Sequence, residues 1–367
     1  MLLKTVKNLT SYYVSLITLC FFLISCQTQD QKTIKRTQFI MGTLIEITVH
    51  EKDKDLAQKA ISKSFEEMSR LENIMSTYLH DSELSKLNIS AGSKKQIPVS
   101  SDLLEVIQRG IHWGRLSNGA MDISIGPAIT LWEFDSELPT LPDPQELISA
   151  VGLINYRDIS IEGSTIGLKK TGMSLHLGAI GKGYAVDRAV DMLKINGIKS
   201  GLVNAGGDLM AFGQKEGAKP WRIGIQHPRK PEKMIASLAL TDKAVATSGD
   251  YQRYFIQGGT RYHHVLNPEN GWPSGEAISA TVIAATVADA DALSTALFIL
   301  GAKKGIDLIN SLEGVEGMIL TNLGSASFSS GFRNLPGLSL QGLKENLSQK
   351  TVTDRIGVAT VRKKNSV

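Results

Sequence analysis

The chain has 367 residues, enough for one large domain or two ordinary ones. Apolar residues make up 42% and charged residues 21%, a globular balance that gives no reason to expect long disordered stretches. The formal net charge of +4 falls by two if Lys4 and Lys7 are removed, and gives no reason to expect a nucleic-acid partner.

The N-terminus carries the first strong signal. MLLKTVKNLT is basic through Lys4 and Lys7, and the apolar, uncharged SYYVSLITLCFFLIS after it ends at Leu23-Ile24-Ser25-Cys26. That order describes a secretory signal peptide. The Cys directly after it resembles a bacterial lipobox, so residues 1–25 are expected to be cleaved and Cys26 lipidated. An uncleaved anchor is the alternative, since the apolar stretch is about long enough for a short span. Of the two cysteines, Cys20 would leave with the signal, so no intramolecular disulfide can form. The polar run QTQDQKTIKRTQ then reads as a tether, placing lipid and tether at 26–37, a folded domain at 38–335 and an extension of unknown role at 336–367.

Along the folded part, FIMGTLIEITVH (39–50) alternates as a half-buried strand does. Leu56, Ala60, Phe65, Met68, Leu71 and Met75 recur at helical spacing over 54–76. STYLHDSELSKLN reads as a polar loop, and 101–119 as a second helix with Ser101 at its N-cap. GAMDISIGPAITLWEF is a turn before an apolar segment; PQELISAVGL is a short helix; 156–178 gives short strands with Gly turns. A helix over 181–198 ends at Asn196-Gly197. The segments 201–213, 221–228 and 234–255 read as consecutive strands, and 261–273 as a strand entering a turn. Helices, then strands, then helices, without regular βαβ alternation, predict an α+β fold with a largely antiparallel sheet and flanking helices.

Several constellations could carry chemistry. In ATVIAATVADADALSTALFILG (280–301) a strand is expected up to Ala288 and a helix from Ala290, with Asp289 as the natural N-cap. Asp291 and Thr295, four apart, would share one face near the helix start. They could offer two oxygens to a hard cation such as Mg²⁺, or Asp291 could simply favour the helix dipole; spacing leaves both open. In LHLGAIGKGYAVDRA, Gly178, Gly181 and Gly183 precede a helix beside Lys182, a turn suited to phosphate or equally a plain tight corner. It is neither a P-loop nor a GxGxxG. The Gly206-Gly207 pair in GLVNAGGDLMAFG suggests a bulge or a close backbone approach. His263 and His264, adjacent in a strand, point to opposite faces, so at most one faces a given site. No HExxH or Cys/His cluster argues for zinc, and there is no GxSxG elbow.

Taken in order, MGTLIEITV, STYLHDSELSKLN, GAMDISIGP, LHLGAIGKGYAVD, NAGGDL, ATSGDYQRYF, HHVLNPENGWP and DALSTALFILG resemble the ApbE family over roughly residues 38–330. These are FAD:protein FMN transferases, often exported bacterial lipoproteins, which use Mg²⁺ and FAD to attach FMN to a Thr or Ser hydroxyl of a target flavoprotein. The resemblance implies that Asp291, Thr295 and the backbone carbonyl of Ala179 hold the metal. It implies FAD contacts at Met41, Tyr78, Ala120, Met121, Asp122, His176, Lys182 and Leu266. His264 matches the family's proposed catalytic base, and Lys182 would stabilise developing charge. The implied partners are acceptor subunits of membrane redox complexes, of the Na⁺-pumping quinone reductase or Rnf type, on the outer side of the membrane. Two positions depart from the pattern: His176 stands where the family has Asp in Asp-Leu-Gly, and Asn267-Pro268 where it has Asp-Pro. An FAD pyrophosphatase releasing FMN and AMP, or a lipid-anchored flavin carrier without turnover, would use the same residues.

Overall fold

The structure, a computed structural model, describes residues 32–345 apart from 135, 216, 342 and 343. Strands β1 (Lys32–Ile40) and β2 (Thr43–Glu51) are joined by Met41 and Gly42, both at positive φ (54° and 71°), a pairing whose twist suits a two-residue hairpin. Residues 32–37, expected in the tether, are therefore strand. The signal segment, Cys26 and the tether up to residue 31 lie outside the described residues.

Helix α1 (Lys54–Met75) starts where the Asp53 carboxylate accepts from the Asp55 and Leu56 N–H groups, and it buries Ala57, Ile61, Met68 and Leu71 along one stripe. The loop expected next contains a helix, α2 (Glu83–Ile89), because Ser82 caps it and Leu84 and Leu87 anchor it in the core. After β3 (Ile97–Pro98), α3 (Ser101–Leu116) is capped by Ser100, one residue before the expected cap. There follow α4 (Gly126–Ile129), α5 (Pro144–Val151), β4 (Ile159–Glu162), β5 (Thr165–Leu168) and α6 (Gly181–Ile195).

Strands β6 (Gly201–Ala205) and β7 (Asp208–Phe212) pair directly across Gly206 and Gly207, whose φ values are 64° and 109°. The Gly pair is thus a hairpin turn rather than a bulge, and it makes the close approach also expected there, since a Cβ at Gly206 would lie 2.5 Å from the Thr43 hydroxyl oxygen. The remaining elements are β8 (Trp221–His227), β9 (Lys230–Leu240), β10 (Lys243–Gly249), β11 (Tyr254–Gln257), β12 (Thr260–His263), β13 (Ala277–Ala284), α7 (Val287–Asn310), β14 (Glu316–Thr321), β15 (Ser325–Phe328), β16 (Ser339–Leu340) and β17 (Lys344–Glu345).

Among the described residues the main sheet runs β1-β2-β6-β7-β10-β13-β14-β15-β17. Its ladders from β2 to β15 are antiparallel, and β15 with β17 is parallel, so the fold is α+β as expected. Strand β10 shows why it is buried on both sides: Ala244 and Ala246 join the core under the helices, while Val245 joins the opposite one. Helices α1, α6 and α7 fill the first core, and the β8–β9 hairpin, joined by β16, covers the second face with Trp221, Ile223, Ile235 and Leu238. Because β16 pairs with β9, the folded part passes the expected boundary at 335 and reaches at least residue 340. A third, aromatic cluster around Trp132, Phe255 and Leu266 supports the β11–β12 hairpin. Within α7, Gly301 (φ 77°, ψ −177°) breaks the helix, and the Glu276 carboxylate caps the continuation by accepting from the Ala302 N–H at 2.9 Å.

Candidate active site

The chemistry gathers at the start of α7. That helix begins at Val287, inside the segment expected to be strand, and its N-cap is Thr286 rather than Asp289. The Val287 and Ala288 N–H groups donate to the two carboxylate oxygens of Asp187 (2.8 and 2.9 Å), and the Asp289 N–H donates to the Thr286 hydroxyl. Asp289 sits one turn in, where its carboxylate accepts from the Thr286 hydroxyl (2.7 Å) and from the Trp113 indole (2.9 Å). Every early N–H of this buried helix end thus has a partner, which fixes the direction in which the next turn projects.

That next turn carries Asp291 and Thr295, which both line a cavity of about 860 Å³. Asp291 is buried (4% exposed), and its Oδ2 accepts from the Gly183 N–H at 3.1 Å and from Lys182 Nζ at 3.4 Å. The Gly-rich turn therefore serves a carboxylate with its N–H. Gly183 also lets α6 and α7 touch: a Cβ there would lie 2.4 Å from the Val287 carbonyl oxygen. Lys182 reaches past Asp291 to Asp208 Oδ2, at 2.6 Å. Burial works against the Lys182 charge, but Asp208 and Asp291 outweigh it and hold its pKa above the ordinary value. Burial first, and the Asp208 charge second, push Asp291 up to about 7, against the pull of Lys182 and the Gly183 N–H. Nothing in the sequence separation of Lys182 and Asp208 announces their pairing; a charged residue opening the apolar strand DLMAF was the one available signal.

His264 stands on the same cavity wall, at the base of the β11–β12 hairpin. Its neighbour His263 faces away, buried, with Nε2 donating to the Ser274 carbonyl at 2.8 Å and its ring edge against Phe298. The His264 N–H donates to the Arg253 carbonyl, and Nδ1 lies 3.3 Å from the same oxygen. A carbonyl only accepts, so Nδ1 carries the proton and Nε2 holds the lone pair. Burial pushes the His264 pKa down to about 3, so the ring is neutral at ordinary pH. Arg253 lines the cavity too, with its guanidinium 3.3 Å from the Tyr78 hydroxyl. It joins Asp208 among the residues that sequence reasoning did not assign to the site.

The expected flavin contacts Met41, Tyr78, Ala120, Met121, Asp122, His176, Lys182 and Leu266 all line this one cavity, as do Ala179 and Thr295. Met41 holds its left-handed backbone through an N–H bond to the Glu72 carboxylate at 2.7 Å. The Asp122 carboxylate is turned inward: it accepts from the Ser124 N–H and hydroxyl and from the Tyr156 N–H. What Asp122 can offer a ligand is therefore chiefly its backbone. His176 lines the same wall, with burial, then Arg253 and Lys182, pulling its pKa down to about 4.

The donor set at α7 fits a hard cation. Asp291 Oδ1 has no hydrogen-bond partner among the described residues, and the Thr295 hydroxyl, 3.2 Å from the Ser248 hydroxyl, lies one turn further on the same wall. With Lys182 charged, Asp208 and Asp291 leave one net negative charge beside them. One carboxylate and neutral oxygens make such a site, rather than a cluster of three His, Cys, Asp or Glu side chains, which the described residues do not form.

A cavity large enough for a nucleotide, lined by a neutral histidine and a buried carboxylate–ammonium cluster, fits a group-transfer or hydrolytic enzyme. The profile of the ApbE family matches residues 41–319, and the chain belongs to that family. An FAD:protein FMN transferase of Treponema pallidum is 31% identical over 303 residues, 78% of this chain and 83% of the relative. The crystal structure of the ApbE protein of Thermotoga maritima superimposes with a TM-score of 0.78 at 30% identity, covering 83% of this chain and 99% of the other. The apo flavinyl transferase ApbE of Pseudomonas stutzeri gives 0.75 at 30% identity, covering 85% and 99%.

Proposed function

We infer that this chain is an FAD:protein FMN transferase acting on a hydroxyl of an acceptor flavoprotein. The observation that carries the reading is the convergence of His264, Lys182 and Asp291 on one cavity of nucleotide size, in a chain of this family. The acceptor oxygen forms a bond to the FMN-side phosphorus, the bridging P–O bond breaks, and AMP leaves with that electron pair. His264 Nε2, held in its acceptor form by the Arg253 carbonyl, takes the hydroxyl proton. Lys182, fixed between Asp208 and Asp291, places a permanent positive charge where negative charge grows. Asp291, Thr295 and the Ala179 carbonyl would hold Mg²⁺, which when bound neutralises phosphate charge. Leu23-Ile24-Ser25-Cys26 supports export and lipid anchoring at Cys26, which would set the cavity before membrane redox subunits facing the outer side.

The test uses the full chain in detergent with FAD, Mg²⁺ and a candidate acceptor domain. AMP release together with a fluorescent acceptor band on a denaturing gel, both lost in EDTA, is the expected result. AMP released equally with every acceptor tried, and no labelled band, would replace the transferase by an FAD pyrophosphatase. Intact, tightly bound FAD would make it a carrier.

A further inference from the structure

His176 is held in one orientation by its own turn. Its backbone N–H donates to the Ile123 carbonyl at 2.8 Å. Its ring folds back over Gly178, where a Cβ would lie 2.5 Å from Cε1 and 3.0 Å from Nδ1. The Gly178 N–H, which can only donate, lies 3.2 Å from Nδ1. Nδ1 is therefore the acceptor nitrogen, and a neutral ring must carry its proton on Nε2. Among the described residues the His176 ring is bonded through Nδ1 alone, which leaves Nε2–H available on a side chain lining the cavity. The charged groups that act on the ring, Arg253 and Lys182, are both cations, so a second proton is disfavoured and the wall here presents donors and positive charge. A carboxylate at this place, as in the family pattern, would present acceptors and negative charge instead.

We propose that His176 is a specificity-determining residue whose Nε2–H donates to an acceptor oxygen of the bound flavin nucleotide, a phosphate oxygen or a flavin carbonyl. An aspartate there would instead read an N–H or O–H of its ligand. This rests on the cavity being the flavin-nucleotide site. The loss on substitution then depends on whether the new side chain can donate, not on its size.

The test measures binding without turnover: quenching of flavin fluorescence by the full chain in detergent with EDTA, titrating FAD, FMN and riboflavin, with AMP as competitor. His176→Asp is expected to weaken FAD at least about 10-fold, because an acceptor oxygen then faces an anion, while His176→Gln, which keeps a donor, stays within about 3-fold. A loss shared by riboflavin assigns the oxygen to the flavin ring; a loss seen for FAD and FMN but not riboflavin assigns it to phosphate. His176→Asp binding FAD as tightly as the natural chain, or more tightly, overturns the proposal. If that variant does not fold, His176→Leu replaces it: about 10-fold weaker binding supports the proposal, and unchanged binding overturns it. A natural chain that binds no flavin sinks the reading of the cavity itself, a result distinct from tight binding by both natural chain and variant.

Discussion

Two side chains carry separable tasks. If His264 is the base, His264→Ala should lower kcat/KM about 10²–10⁴-fold with FAD binding nearly unchanged. Its pKa near 3 adds a sharper mark: at saturating Mg²⁺, where Asp291 would be held ionised, the acid limb of kcat/KM should fall well below pH 5, and a limb near 6.5 that belongs to His264 would exclude the neutral, buried ring. Lys182 separates two carboxylates. Asp291, raised to about 7 in the folded chain, contributes stability that is full below about pH 4 and lost as pH rises through 7. Lys182→Met removes the cation that opposes this shift, so its thermal destabilisation in EDTA should deepen from pH 5 to pH 8, reaching about 3–5 kcal/mol. A deficit independent of pH would show that Lys182 does not compensate these carboxylates. The sequence exposed the Asp291–Thr295 pair because four residues on a helix make one face. It hid Asp208, whose meaning lies in a lysine from a different element.

At the scale of elements, the start of α7 is misplaced by local sequence pattern, and the reason is physical. Thr286 and Val287 favour a strand locally, but Asp187, presented by α6, accepts the first two N–H groups and lets the helix begin there. Burial raises Asp187 to about 6 despite those bonds. Asp187→Ala should cost about 2 kcal/mol of stability by thermal or denaturant unfolding, and should also reduce activity, since Asp291 rides on the turn that follows. Full activity at permissive temperature would show that α7 keeps its aim without this cap. Helix α1 was legible because its apolar stripe runs the whole element, and α2 was not, because two buried leucines in seven residues make too weak a period.

At the scale of the molecule, the sheet separates site from support. The cavity residues lie with the helices and the β11–β12 hairpin, while the β8–β9 layer buries the opposite face. Trp221 is its largest buried side chain, 5% exposed, so Trp221→Ala should cost about 3–5 kcal/mol while kcat/KM measured well below the melting temperature stays within about two-fold. A large catalytic loss at that temperature would mean the layers are coupled through the sheet. Hairpin spacing and Gly turns made an antiparallel sheet readable in the sequence. The placing of β2 beside β6 was not, because a long-range ladder is set by packing between faces that local pattern does not name.

The β11–β12 hairpin has a last consequence. Arg253 and His264 flank paired residues, Tyr254 opposite His263, and the Arg253 carbonyl itself fixes which nitrogen of His264 is basic. The hairpin is anchored at its root by the Arg229–Asp250 pair, both oxygens at 2.6 Å, and by Arg261 stacked over Tyr254. His264 and Arg253 thus form one structural module. A chimaera exchanging residues 250–266 whole carries both groups across in register, whereas one exchanging either strand alone separates a histidine from the carbonyl that sets its tautomer.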